Sequence, residues 1–257
     1  MSKIAQSKGR RAARRSSAAL SGRRVSPRAA RVISLTHDVH EAIPIWPGDP
    51  HLSFEPVASI EADGYFLQRI TLGEHSGTHL VAPRSYHVRG ASSDELPDHL
   101  LILPTVVIDK SRAAAHNSDF VLQTRDIEAW EVRHGRIEPG VLFLLRTGWS
   151  ARWSEPERFL NQDRDGRMHF PGISREAIEC LVEDRGVVGV GIDTHGIDGG
   201  LNESFAASRK LLERPRIALE NLANLRPLPL RGALVFIGAL PIRGGSGAPA
   251  RVLALIP

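Results

Sequence analysis

Several things are scarce or missing from this 257-residue chain, and each absence removes a class of function. There is one cysteine, Cys180, so an internal disulfide and a cysteine-rich zinc site are excluded. The longest apolar runs, "GVLFLLRTGW" and "GALVFIGALPI", are strand-length and far short of the roughly 20 residues a membrane helix needs. No H-E-x-x-H is present, which excludes the helical zinc-protease arrangement, and no G-x-S-x-G elbow marks an α/β-hydrolase. The glycine-rich "RGGSGAPAR" lacks the Gly-Lys-Ser/Thr ending of a phosphate loop and reads as a tight turn between strands. "GVVGVGID" has glycines but no fingerprint helix after it, which speaks against dinucleotide binding. "QDRDGRMHFPG" lacks a calcium-loop ligand series and reads as an exposed turn.

Acidic residues are missing from one region alone. Residues 1–31 hold ten Lys or Arg and no Asp or Glu, and the remainder carries 23 basic against 29 acidic residues. The positive charge is therefore that of a tail, and the body is mildly acidic. With almost no aromatic or β-branched residues, the tail cannot offset its ordering entropy and is expected to be disordered. It reads as a solvated extension, an organelle transit peptide, or a non-specific polyanion contact. No specific nucleic-acid function follows from it. No apolar stretch follows the arginines, so a secretory signal is not expected; the expected location is cytoplasmic, with organelle targeting by the tail as the alternative.

From Val32 to Pro257 the pattern is that of one domain. "RVISLTHDV" reads as a first strand, "HLSFEPVASI" and "YFLQRITLGEHSG" as an extended pair. "TVVIDKS", "GVLFLLRTGW", "GVVGVGIDT", "GALVFIGALPI" and "PARVLALIP" are apolar without alternation, as in strands covered on both faces. Helices are predicted in "TRDIEAWEVRHG", "SREAIECLVEDRG" and "ESFAASRKLLER". In the second, Ser174 caps the start, Gly186 stops the end, and Cys180 sits on a buried face beside Ile178, Leu181 and Val182. Alternating strands and helices predict an α/β fold with a mixed sheet.

The chemistry concentrates in "GEHSGTHLVAPRSYH". His75 and His79 are four apart, and neutral imidazole is a common metal ligand, although surface histidines give the same spacing. Read whole, "HSGTHLVAP" resembles the H-x-G-T-H-x-D-x-P signature of the cyclase family, which includes bacterial kynurenine formamidase and isatin hydrolase. "SLTHDVHEAIPIWPGDP", "GIDTHGID", "ALENLANLRPLP" and "LPIRGGSGAPARVLAL" resemble further landmarks of that family, in order. The resemblance covers Val32 to Pro257. It implies a swivelling β/β/α fold, a homodimer or homotetramer, and metal-dependent hydrolysis of an aryl formamide, lactam or lactone.

Carried over position by position, it makes His75, His79 and Glu220 ligands of one divalent ion, Zn²⁺ or Mn²⁺. Val81 stands where the signature has Asp, Ser85 where a histidine follows, and Ser208 where a later ligand histidine lies, so a two-metal centre is lost. His87 and His195 are the candidate general bases. Thr78 is expected to orient a ligand or the substrate, and Trp46, Ser85 and Ser208 to contact the substrate. Two alternatives share the pocket: a metal-independent cyclase that folds a small metabolite or polyketide-type substrate for ring closure, and a family member without catalysis.

Overall fold

In the computed structural model, which describes residues 31–256, the apolar runs become a sheet that closes on itself. The disorder expected for the tail falls on residues 1–30, outside the described residues. Arg31, assigned to the tail from its charge, instead opens the first strand, β1 (Arg31–Ser34). A hairpin of β2 (Ser53–Ala58) and β3 (Leu67–Thr71), linked through the short helix α1 (Ile60–Asp63), forms a separate two-stranded sheet. β4 (His79–Val81) returns the chain to the main sheet.

Strands and helices then alternate: β5 (Ile102–Asp109), α2 (Ser111–His116), β6 (Val121–Leu122), α3 (Thr124–His134), β7 (Leu142–Arg146), α4 (Pro156–Leu160), β8 (Gly172–Ile173) and α5 (Arg175–Glu179). After them come β9 (Gly189–Ile192), α6 (Ala206–Leu211), β10 (Ile217–Glu220), β11 (Arg231–Ala239) and β12 (Gly247–Ile256). The order across the sheet is β1-β12-β11-β5-β7-β9-β10-β4, and β12 also pairs with β4, closing the ring. β5, β7, β9 and β10 run parallel, while β4, β11 and β12 pair antiparallel with their neighbours.

Both faces of the parallel strands β7, β9 and β10 are buried, which is why they lack alternation. β11 and β12 instead alternate buried and open positions, with Phe236 43% exposed, so the covering of both faces expected for them does not hold. On β7, Phe143 and Leu145 belong to one apolar cluster, with Leu122 of β6 and Ile127 and Ile178 of the helices. Leu142 and Leu144 belong to another, with Leu35, Leu80, Leu103 and Leu219. Burial of each such side chain stabilises by ~1.5–3 kcal/mol. Space is tight at Gly191, where a Cβ would lie 2.6 Å from Leu144 Cδ2 and 2.8 Å from Leu222 Cδ1. Ser174 caps α5 by accepting from the Ala177 amide, and the helix runs on as a π-helical turn over Cys180–Asp184. Gly186, at φ 67°, ends it.

One strand not predicted from the sequence is Ile217–Glu220, buried between β9 and β4, and the chain turns immediately after it at Asn221, φ 54°. Parallel pairing to β9 and antiparallel pairing to β4 hold it, neither of which a four-residue segment reveals by itself.

Candidate active site

The register of β10 against β4 sets the centre of the site. Glu220 is the cross-strand partner of His79, so two residues 141 positions apart meet directly. Gly77, at φ 63°, turns the chain into β4, and its carbonyl accepts from His79 Nδ1 (3.0 Å) and Asn221 Nδ2 (2.9 Å). Because that carbonyl can only accept, Nδ1 carries the hydrogen and Nε2 faces Glu220 Oε2 at 3.1 Å. The other carboxylate oxygen accepts from the Ile197 amide at 3.2 Å. With Nδ1 on the Gly77 carbonyl, Nε2 and the carboxylate oxygen form a hydrogen bond when one proton lies between them.

A cavity of about 790 Å³ opens beside this pair. His75, Val81, Trp46, Ser85 and Ser208 contribute to its lining, as do His79, Glu220 and His195. His195 is buried, its ring edge-on to Trp46 and Phe159 at centroid distances of 5.9 and 4.8 Å, and its Nε2 has no hydrogen-bond partner. Burial, with the neighbouring His79 adding to it, pushes its pKa down to about 3, so the ring is neutral. Ser208 does not offer a free hydroxyl: its Oγ donates to Asp198, whose carboxylate also accepts from the Ala207 and Ser208 amides and from Asn202. Burial pushes the Asp198 carboxyl up and the Tyr86 phenol, also on the cavity wall, well up.

Two expected roles move. His87, proposed as a base two positions past Ser85, does not line the cavity; the short helical turn over Pro83–Ser85 carries it outward, where Nε2 contacts the Arg209 carbonyl at 2.9 Å. Thr78 is absent from the lining too. Its hydroxyl donates to the Asn221 carbonyl (2.6 Å) and accepts from the His37 amide (3.0 Å), so it pins β4 to the end of β10.

The three-ligand ion site does not assemble. Among the described residues no three His, Cys, Asp or Glu side chains converge as metal donors. His75 lies near His79, with ring centroids 5.0 Å apart, but its Nε2 contacts Ser246 Oγ at 2.9 Å. Burial, followed by the charge of His79, holds its pKa below the usual range. Val81 is 2% exposed within the apolar cluster, so no carboxylate completes the set. His79 and Glu220 alone are too few donors for a resident catalytic ion.

Residues that the sequence reading passed over shape the rest of the cavity: Tyr86, Phe170 and Phe205 as rings, Asp49 and Glu203 as exposed carboxylates, and Asp198 as a buried one. Asp198 lies inside the quoted "GIDTHGID" and Tyr86 inside "GEHSGTHLVAPRSYH"; Phe170 and Phe205 sit in segments without a chemical motif.

Comparison with known proteins agrees with this architecture. An isatin hydrolase of Roseibium aggregatum is 38% identical over 218 residues, 81% of this chain and 82% of the relative. A kynurenine formamidase of Salinibacter ruber is 26% identical over 227 residues, 86% and 96% of the two chains. Among solved structures, isatin hydrolase A from Labrenzia aggregata bound to benzyl benzoate superposes with a TM-score of 0.83 at 36% identity, covering 89% of this chain and 94% of that one. A structure described as a potential metal-dependent hydrolase with cyclase activity gives 0.68 at 25% identity, covering 89% and 99%. The Cyclase family model matches residues 33–199, and with these relatives it establishes that the chain belongs to the cyclase family.

Proposed function

We propose that this chain is an amide-bond hydrolase whose substrate is an aryl formamide, a lactam or a related lactone, opened at its carbonyl in the cavity. The observation that carries this reading is the buried His79–Glu220 contact, in a family whose relatives here are named isatin hydrolase and kynurenine formamidase. Glu220 takes a proton from the attacking water as the carbonyl is struck. His79, fixed by the Gly77 carbonyl, passes a proton from Nε2 to the leaving nitrogen or oxygen, so the pair ends each cycle with the hydrogen it began with. Positioned acid–base groups of this kind contribute about 10²–10⁴-fold.

Steady-state hydrolysis of isatin and of N-formylkynurenine tests the reading. The expected result is saturable turnover of at least one of them, abolished in His79→Ala; unchanged turnover in that variant removes the proposal. One zinc or manganese ion would require His75 to turn from Ser246 towards the pair, and the ion content of the purified chain tests for that turn. Ring closure without hydrolysis is the second reading, favoured by apolar Val81 where a metal-binding carboxylate would stand; a product with one water fewer than its substrate would identify it.

A homodimer or homotetramer is part of the same proposal. It is supported by the β2–β3 hairpin and its link, where Val57, Ile60, Tyr65, Phe66, Leu67 and Ile70 are 47–66% exposed. Sedimentation should give a species larger than the monomer; a monomer at micromolar concentration contradicts it. Among the described residues, no helix is long and apolar enough to cross a membrane.

A further inference from the structure

The cavity's walls carry a charge preference. Phe205 lies between Trp46 and Tyr86, with centroid distances of 6.2 and 5.7 Å and interplanar angles of 49° and 42°. Rings inclined in this way make a concave wall. Phe205 holds a left-handed backbone conformation, φ 52° and ψ 40°, at the residue that precedes α6. A bulky side chain adopts that conformation only under strain, where Gly or Asn would be comfortable. The ring delivered to the cavity is what distinguishes Phe205 from those residues.

Around this wall the lining includes five carboxyl groups, Asp49, Asp165, Asp198, Glu203 and Glu220, against one guanidinium, Arg167. That guanidinium is engaged by Asp163 and Asp165 at 2.9 and 3.1 Å. Asp49 and Glu203 are exposed and have no cationic partner among the described residues. A second observation points to a ligand independently of the acids: His195 is 6% exposed, lines the cavity, and keeps Nε2 without a partner. Its neutral ring adds no positive charge and offers a hydrogen bond to an uncharged polar group.

We propose that the cavity selects amides or lactams that carry a cationic nitrogen, the cation against Trp46, Tyr86 and Phe205 with Asp49 and Glu203 facing it, and a neutral polar group of the same molecule on His195. Aromatic faces attract cations through their quadrupole, and carboxylates around a concave site focus a field of the same sense. A substrate bearing a carboxylate would find no free cation on the lining itself; the Arg209 guanidinium lies outside it, over the Tyr86 ring at 5.6 Å. Hydrolysis also creates a carboxylate inside this acidic cavity, so the product is repelled as it forms. The proposal takes its reacting carbonyl from the hydrolase reading, but its charge preference is read from binding alone.

Calorimetry on the full chain with three probes of one shape tests it: choline, its carbon analogue 3,3-dimethylbutan-1-ol, and 3,3-dimethylbutanoate. The quaternary cation has no N–H, so its advantage reports the rings and the field. Choline is expected to bind about tenfold more tightly than the alcohol, with the carboxylate weakest. Raising the salt should narrow the gap. Phe205→Leu and the double variant Asp49→Asn with Glu203→Gln should each lower choline affinity several-fold while leaving the alcohol little changed. Equal binding of choline and the alcohol overturns the proposal, as does preference for the carboxylate or a choline advantage that survives both variants. Cation selectivity without hydrolysis of any amide would overturn the hydrolase reading and leave this one standing.

Discussion

Replacing Glu220 with glutamine separates proton chemistry from architecture. The amide oxygen of glutamine can accept from the Ile197 amide as Oε1 does at 3.2 Å. Its NH₂ can donate to His79 Nε2 across the present 3.1 Å, because Nδ1 stays on the Gly77 carbonyl. Both contacts therefore survive, and the cost in stability should be ~1 kcal/mol or less, the scale of one exchanged hydrogen bond. For a domain of this size that is a shift in melting temperature of about 2–4 °C. What disappears is the ability to take up a proton, so kcat should fall about 10²–10⁴-fold. KM should move only a few-fold, since glutamine keeps the size and contacts that Glu220 has in the cavity wall. Steady-state kinetics on whichever amide the parent hydrolyses, paired with a thermal melt, gives both numbers. A folded variant that keeps kcat within tenfold of the parent refutes the role assigned to the pair.

Val81→Asp places a carboxylate in an apolar cluster beside Glu220 and should cost ~2–4 kcal/mol, seen as a melting temperature lower by about 5–15 °C. Added Zn²⁺ or Mn²⁺ should recover part of that loss in this variant and leave the parent unmoved; a parent stabilised by several degrees would contradict the incomplete donor set. Gly191→Ala forces a methyl to within 2.6 Å of Leu144 Cδ2 and should destabilise by ~1–3 kcal/mol in denaturant titrations, with no loss showing that the barrel yields. His37 lies flat on Trp153, 4.1 Å between centroids, and burial lowers its pKa from 6.5 to about 4 against the opposing pull of Asp38. The folded state resists this proton, so stability is full above pH 6.5 and declines as pH falls towards 4. His195 acts in the same sense down to about pH 3. His37→Phe, which can keep the stack, should flatten the pH dependence of thermal melts between 6.5 and 4; an unchanged slope would contradict this origin.

The central parallel strands were legible because each needs apolar residues on both faces: on β7, Phe143 and Leu145 serve one layer, Leu142 and Leu144 the other. Ser174 and Gly186 were legible because capping and left-handed termination are local. β10 was not, since its four residues are held by pairing to β9 and β4, and barrel closure through β12 and β4 is non-local in the same way. The site divides similarly. His79 and Glu220 stood out by motif, but their contact depends on strand register. The orientation of His75 depends on Ser246, 171 residues away. His87 was misplaced because a short turn reverses which side chains face inward. Phe205 could not be singled out, because its significance lies in a backbone angle.

Hydrolysis and ring closure differ in the fate of water, which makes isotope incorporation the most direct measurement. Turnover of isatin and N-formylkynurenine in H₂¹⁸O, read by mass spectrometry, should place one ¹⁸O per cycle in the newly formed carboxylate or formate and none with His79→Ala. A folded wild-type chain that yields no labelled product from either amide would contradict the account.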